Sequence, residues 1–238
     1  MATKIEWAEE TWNPVTGCDP VSPACRNCYA KPMAYRLRGR CGYPADEPFR
    51  VTMHPDKIDL PRKWKTPRRV FVVSMGDLFH AKVPDDYRDK IMDVIEDSRL
   101  HTFLMLTKRP EGMANYFTRR PVPENCWIGV TVEDQQRVDE RLPILRGIDA
   151  PVRFVSVEPL LGSVDLGLVP GDRIGWVIAG AETSPWKGRA RAMKSEWAGS
   201  VRDQCQGAGV PFLFKKNSEG TRELDGRTWN EYPSRGAA

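Results

Sequence analysis

Six short apolar runs, each ending in polar or ionisable residues, constrain the fold of this chain more than any other feature. They occupy 70–73 (VFVV), 103–106 (FLML), 127–132 (WIGVTV), 152–157 (VRFVSV), 176–181 (WVIAGA) and 210–214 (VPFLF). Runs of this length without polar alternation suit strands covered on both faces, which is the situation in a parallel sheet. Between them, residues 85–97 carry Tyr87, Ile91, Val94 and Ile95 along one helical stripe, with Pro84, Asp85 and Asp86 suited to its N-terminus. Residues 196–208 place Trp197, Val201 and Ala208 on one side and stop at Gly207-Ala208-Gly209. A helix after Asp134 is expected to be interrupted at Pro143, and 30–38 and 111–119 are further helix candidates.

A strand near 11–13 raises the total to about seven, at spacings of roughly 25–35 residues where a βαβ unit needs about 30. The expected fold is therefore α/β: a parallel (β/α) barrel, or a partial TIM-like barrel, of six to seven strands, with a doubly wound open sheet as the alternative. One domain is expected across 1–238, with a three-cysteine loop at about 13–30 and a short tail at about 217–238. Composition supports a folded chain, since 40% of residues are hydrophobic and 8 are Trp. No apolar run approaches the ~20 residues of a membrane span. The acidic start MATKIEWAEE lacks the basic and apolar segments of a signal peptide. The expected location is the cytoplasm, with no membrane partner.

The residues that follow the runs collect at one edge of such a sheet: Ser74-Met75-Gly76-Asp77, Thr107-Lys108-Arg109, Glu133, Glu158, Glu182 and Lys215-Lys216. In parallel α/β folds the active site lies at the carboxyl ends of the strands. Any buried strand must also exit through polar residues, so each position taken singly is ambiguous.

Three of the six cysteines, Cys18, Cys25 and Cys28, crowd into TWNPVTGCDPVSPACRNCYA with the spacing C-x6-C-x2-C. A C-x2-C pair brings two thiolates to one metal or cluster, and a third cysteine completes a three-point attachment. Pro14, Gly17, Pro20 and Pro23 keep the loop non-helical. Three readings stand at this point. The first is a four-iron cluster with one iron open; the second is a zinc site closed by Cys41; the third is a set of unligated thiols. Cys126 and Cys205 sit in strand and helix contexts, where a thiol behaves as a small hydrophobe.

Over about 11–233, the motifs TWNPVTGC, CRNCYA, SMGDLF, LTKRP, GVTVE, FVSVEPLLG, GAE, RDQCQGAGVPFLFKK and LDGRTWNEYP resemble the three-cysteine-motif family encoded by bacteriophages, prophages and bacterial mobile regions. Members of that family are themselves similar to radical S-adenosylmethionine (SAM) enzymes. That superfamily usually spaces its cysteines C-x3-C-x2-C with an aromatic before the last. This chain has a longer first gap, with Asn27 before Cys28 and Tyr29 after it. The family often continues its last strand with Lys-Gln-Trp-Gly, where this chain reads Lys215-Lys216-Asn217-Ser218.

The resemblance implies an iron-sulfur, 4Fe-4S cluster on Cys18, Cys25 and Cys28, with SAM chelating the free iron through its amino and carboxylate groups. Reduction would then yield a 5'-deoxyadenosyl radical that takes hydrogen from a substrate. Tyr29 would lie against the adenine, although a tyrosine opening a helix also simply packs. The Ser74 to Asp77 turn would meet the SAM amino group, with Gly76 permitting close backbone approach and Asp77 pairing with the ammonium. Glu158, Gly180 and Glu182 would be further cofactor or substrate contacts; the competing reading is a rim ion pair with Lys108, Arg109 or Lys215. Lys108, Arg109, Glu133, Arg189, Arg191 and Lys215 are candidates for substrate contact. The resemblance also implies a reductant protein and a partner protein encoded nearby.

The net charge is +4, and the whole surplus falls before Asn125. Residues 57–69 hold six basic residues against one acidic, around Trp64, a combination that grips single-stranded nucleic acid or a nucleotide. Lys187, Arg189 and Arg191 form a second patch suited to phosphate. These stretches allow a nucleotide or nucleic-acid substrate for the radical enzyme; solvated, exposed loops are the competing reading of both. The alternative is a non-enzymatic, zinc-binding nucleic-acid-binding protein using Cys18, Cys25, Cys28 and Cys41. His54, His80 and His101 show no metal-ligand spacing, and no phosphate loop, dinucleotide fingerprint or serine-hydrolase elbow occurs.

Overall fold

A computed structural model describes residues 5–186 and 188–234. The chain runs β1 (Glu10–Trp12), β2 (Val15–Thr16), α1 (Ala30–Arg36), β3 (Thr52–Met53), β4 (Arg69–Val72) and α2 (Asp85–Asp97). It continues through β5 (Thr102–Thr107), α3 (Pro110–Phe117), β6 (Cys126–Thr131), α4 (Gln135–Gly147) and β7 (Val152–Val157). The last elements are β8 (Ile174–Ala179), α5 (Ser195–Ala208), β9 (Phe212–Phe214), β10 (Glu223–Leu224) and β11 (Arg227–Thr228). Seven strands form one sheet in the order β1-β4-β5-β6-β7-β8-β9, and every neighbouring pair is parallel. The order never reverses, so the doubly wound alternative is excluded and the sheet curls into a half-barrel, a partial TIM-like barrel in one domain. No helix of the described residues is long and apolar enough to cross a membrane.

The apolar runs become these strands because both of their faces are covered. On the outer face Val70, Val72, Phe103, Met105, Ile128, Val130, Val155 and Val177 share a core with the buried stripe of α2, Tyr87, Ile91, Val94 and Ile95. On the inner face Phe71, Leu104, Trp127, Phe154, Trp176, Ile178 and Leu213 form a second core with Trp7. Its aromatic rings pack at 4.6 Å (Trp7–Phe71), 5.8 Å (Phe154–Trp176) and 6.0 Å (Trp127–Trp176). Gly129 makes this packing possible, because a Cβ there would lie 2.7 Å from the Phe154 ring. Tyr232 packs tilted against Trp176 at 5.3 Å and donates to the Glu6 carbonyl at 3.3 Å, so the segments around residues 6 and 232 meet under the half-barrel. The floor is thus solid and apolar, and the carboxyl rim is open.

Two local expectations are corrected. Helix α4 passes through Pro143 without a break. The proline lies on the exposed face, where water can satisfy the carbonyl it frees, while Val138, Leu142 and Leu145 anchor the other face in the core. Its start is secured by Asp134, whose carboxylate accepts from the Arg137 amide at 3.0 Å. Strand β9 begins at Phe212 rather than at 210, since Pro211 has no N–H for the ladder. Cys126 and Cys205 are buried as small hydrophobes, and burial raises both thiols above their ordinary range.

Candidate functional site

Between β2 and α1 the three-cysteine loop folds over the carboxyl rim. Gly17 opens it at φ +84°, and a Cβ there would sit 2.1 Å from the Arg50 carbonyl oxygen, so only glycine fits. Gly17 and Gly76 form a parallel bridge, and a Cβ on Gly76 would lie 2.8 Å from the Gly17 oxygen. The close approach that Gly76 permits is therefore to the cysteine loop itself. Just before it, Val73 leaves β4 at φ +57°, a strained conformation for a β-branched residue.

Side chains from four strand ends pin the loop. After β4, His80 Nε2 lies 3.1 Å from Asp19 Oδ2. After β5, Arg109 donates to the Asp19 carbonyl at 2.9 Å and to Cys18 Sγ at 3.5 Å. After β6, Glu133 accepts from the Ala24 amide at 3.2 Å and from Arg141 at 3.2 Å. After β8, Glu182 accepts from Asn27 Nδ2 at 2.8 Å and from the Arg191 amide at 2.8 Å, and Arg191 also donates to the Pro23 carbonyl at 3.0 Å. Much of the polar rim predicted from sequence thus serves as scaffold for the loop.

Below the loop lies a cleft of about 230 Å³. Cys18, Cys25, Cys28, Tyr29, Ser74, Gly76, Asp77, Lys108, Arg109, Glu158, Glu182 and Lys215 all line it, which brings together most of the residues singled out from sequence. Four of those singled out, Glu133, Gly180, Arg189 and Arg191, are not among the lining residues. Glu133 is fully buried beneath the loop, Gly180 lies between Lys215 and the β7 end, and Arg189 is exposed with its carbonyl accepting from Asn27 at 2.9 Å.

Several of these side chains have partners within the protein. Asp77, buried at the cleft wall, accepts from the Thr107 hydroxyl at 2.8 Å, the Phe79 amide at 3.0 Å and the Lys108 amide at 3.3 Å, and faces Arg109 at 3.5 Å. Its acceptor capacity is taken up by the protein. Glu158 pairs with Lys215, the rim ion pair that competed with a ligand role, and Glu182 pairs with Arg191, a partner the sequence reading did not name. Tyr29 donates to the Ser74 carbonyl at 2.6 Å. Ser74 Oγ and Asn13 Oδ1 are 3.2 Å apart.

The basic stretch at 57–69 does not present an aromatic grip. Trp64 is half-buried against His101 with Arg68 over its ring, and Arg62, Arg68 and Arg69 pair with Asp59 and Asp97, Glu10, and Glu9. In the second patch Lys187 lies outside the described residues, and Arg191 is committed to Glu182.

For a metal, the donor set is three soft thiols on one cleft, none in a disulfide. Burial first, then Asp77, pushes the Cys18 thiol up to about 11, with Arg109 opposing. Among the described residues no three His, Cys, Asp or Glu side chains are arranged to share one metal ion. Ligands of a single zinc must converge to about 2.3 Å from a common centre, whereas thiolates on separate corners of an iron-sulfur cube stand apart across its width. Cys41, the fourth ligand of the zinc alternative, is exposed at φ +54° and is not among the residues lining the cleft. The three thiols are soft donors of the kind that a multi-iron cluster takes.

Sequence reasoning missed Asn27 as the loop's anchor and Thr131 and Ser156 on the cleft wall. Period-two alternation from Trp127 and Phe154 was the signal for the last two. No curated protein and no solved structure matches the chain. The family model described as "Protein of unknown function (DUF5131)" matches residues 2–233, and with nearly its whole length so matched, this chain belongs to that family.

Proposed function

We propose that this chain is an iron-sulfur, SAM-dependent radical enzyme whose 4Fe-4S cluster is held by Cys18, Cys25 and Cys28 at the carboxyl rim of the half-barrel. One observation carries the reading: three free thiols from a single loop line one cleft at the carboxyl ends of parallel strands. Three thiolates leave one corner of an iron cube without a protein ligand, the position at which SAM would bind. When bound, cluster and SAM supply one-electron cleavage of a sulfonium bond and hydrogen abstraction from a substrate. The chain's own residues hold the geometry and exclude water. Glu182, Arg191, Arg109 and Glu133 fix the loop over the cleft. Trp7 and Phe71 close it from below with apolar side chains, which would keep water from that side of a bound cofactor. A reductant protein and a nucleotide or nucleic-acid substrate complete the reaction in this reading.

Anaerobic purification with iron and sulfide analysis tests it. The expected product is a brown protein with about four irons per chain. Iron is lost in Cys18→Ala, Cys25→Ala and Cys28→Ala and kept in Cys41→Ser, and 5'-deoxyadenosine appears after reduction with SAM. A colourless protein holding one zinc sinks the proposal.

A further inference from the structure

One level below the rim, the cleft wall carries three polar side chains that take no part in holding the loop. Thr107 pairs with Val130 and Thr131 with Ser156 across β5, β6 and β7, so Lys108, Thr131 and Ser156 follow one another along one row. Alternation from the inward-facing Leu106, Gly129 and Phe154 turns all three toward the cleft, which they line. Thr131 is 2% exposed and Ser156 3% exposed. Among the described residues neither hydroxyl has a hydrogen-bond partner. Neither oxygen is sealed off in the core: both open onto the cleft, where a ligand can reach them.

Lys108 completes the row. It is half-buried, and whereas Arg109, Arg191 and Lys215 each face a carboxylate, Lys108 has no such partner among the described residues. Two free hydroxyls can both turn their O–H groups toward a ligand, and the ammonium in the same row adds a positive charge with three donors. Charge-assisted bonds to an oxyanion would satisfy all three groups at once.

We infer that Lys108, Thr131 and Ser156 form a binding site for an oxyanion, phosphate or carboxylate, carried by the substrate. The inference rests on the cleft being the substrate site of the proposed enzyme. There the carboxylate of SAM is assigned to the open iron at the rim, which leaves this deeper row for a different molecule.

Trp7 lines the same cleft, so tryptophan fluorescence of the full chain reports occupancy. Inorganic phosphate and acetate are titrated separately. Saturable quenching is expected with at least one, and the tighter of the two identifies the group. Affinity should fall at least tenfold in Lys108→Gln and in Thr131→Val/Ser156→Ala. It should be largely kept in Lys108→Arg, and unchanged in Lys65→Gln, which removes an exposed charge outside the cleft. Should the double variant fail to fold by circular dichroism, Lys108→Gln, altered at a half-exposed side chain, decides alone. No saturable binding of either anion, or binding that Lys108→Gln leaves intact, overturns the inference. Iron analysis of the same preparations separates the two readings. Anion binding through Lys108 in a chain that retains no iron sinks the cluster and keeps this site; a chain with its iron but no anion binding does the reverse.

Discussion

Lys215, at the end of β9, reaches over Gly180 at the end of β8 to pair with Glu158 at the end of β7. The register aligns Val157, Ala179 and Phe214, so the three residues that follow share one level of the rim. A Cβ on Gly180 would stand 3.1 Å from Lys215 Cβ. The missing side chain is what lets the lysine cross a strand. With side chains 19% and 17% exposed, the pair is largely shielded; burial lowers the lysine, but the charge and hydrogen bond of Glu158, with Glu6 behind them, together hold it above its ordinary value.

Removing one partner leaves the other charge shielded and unpaired. Lys215→Met and Glu158→Gln should each cost about 2 kcal/mol, below the range for fully buried pairs. The double variant should cost less than the sum of the two, which a denaturant-based double-mutant cycle measures. Strict additivity would show that the pair contributes nothing.

Gly129 is required by the ring beside it. Gly129→Ala places a methyl 2.7 Å from Phe154, which is fully buried, and should cost about 1–3 kcal/mol by overpacking. Phe154→Leu in the same chain should recover part of the loss in calorimetric Tm. Equal Tm for Gly129→Ala and the native protein would mean that the floor is looser than its packing implies.

Glu182 anchors the cysteine loop. Burial raises its carboxyl, but the Arg191 side chain and amide and Asn27 outweigh that and hold it below its ordinary value. A depressed carboxyl contributes stability at pH values above its unfolded value and loses it as pH falls through the folded one. Glu182→Ala should therefore destabilise by about 2–3 kcal/mol at neutral pH and by less near pH 3. Under the proposed function it should also lower iron retention. Urea melts at both pH values with iron analysis check this; an identical loss at pH 3 and pH 7 would remove the charge from the explanation.

All three histidines, His54, His80 and His101, are buried, and that burial lowers each below the ordinary imidazole value. Each favours the neutral folded form, so its contribution is complete above about pH 6.5 and is lost as pH falls toward the folded value. Tm should drop between pH 7 and pH 5.5, before the carboxylates titrate. His101→Phe, with nothing to protonate between Trp64 and Phe103, should lose less over that interval. A flat Tm profile down to pH 5.5 would contradict this.

Periodicity and punctuation in the sequence determined the architecture. Continuous apolar runs spaced for crossover connections specify buried parallel strands, the stripe of α2 specifies one face of a helix, and the clustered cysteines mark one loop. These are local signals, because side-chain spacing alone decides which residues share a face. Pro143 shows the limit even there, since whether a proline breaks a helix depends on which face meets solvent. Only the tertiary structure decided what the rim residues do. Glu133, Glu158 and Glu182 look alike in sequence, each following an apolar run. One is sealed under the loop by Arg141, one is bridged by Lys215 and one clamps Asn27. Their partners lie 8, 57 and 155 positions away. Separations of that size carry no periodic signal, so the curl of the sheet alone selects which charges meet and leaves Lys108, Thr131 and Ser156 facing the cleft.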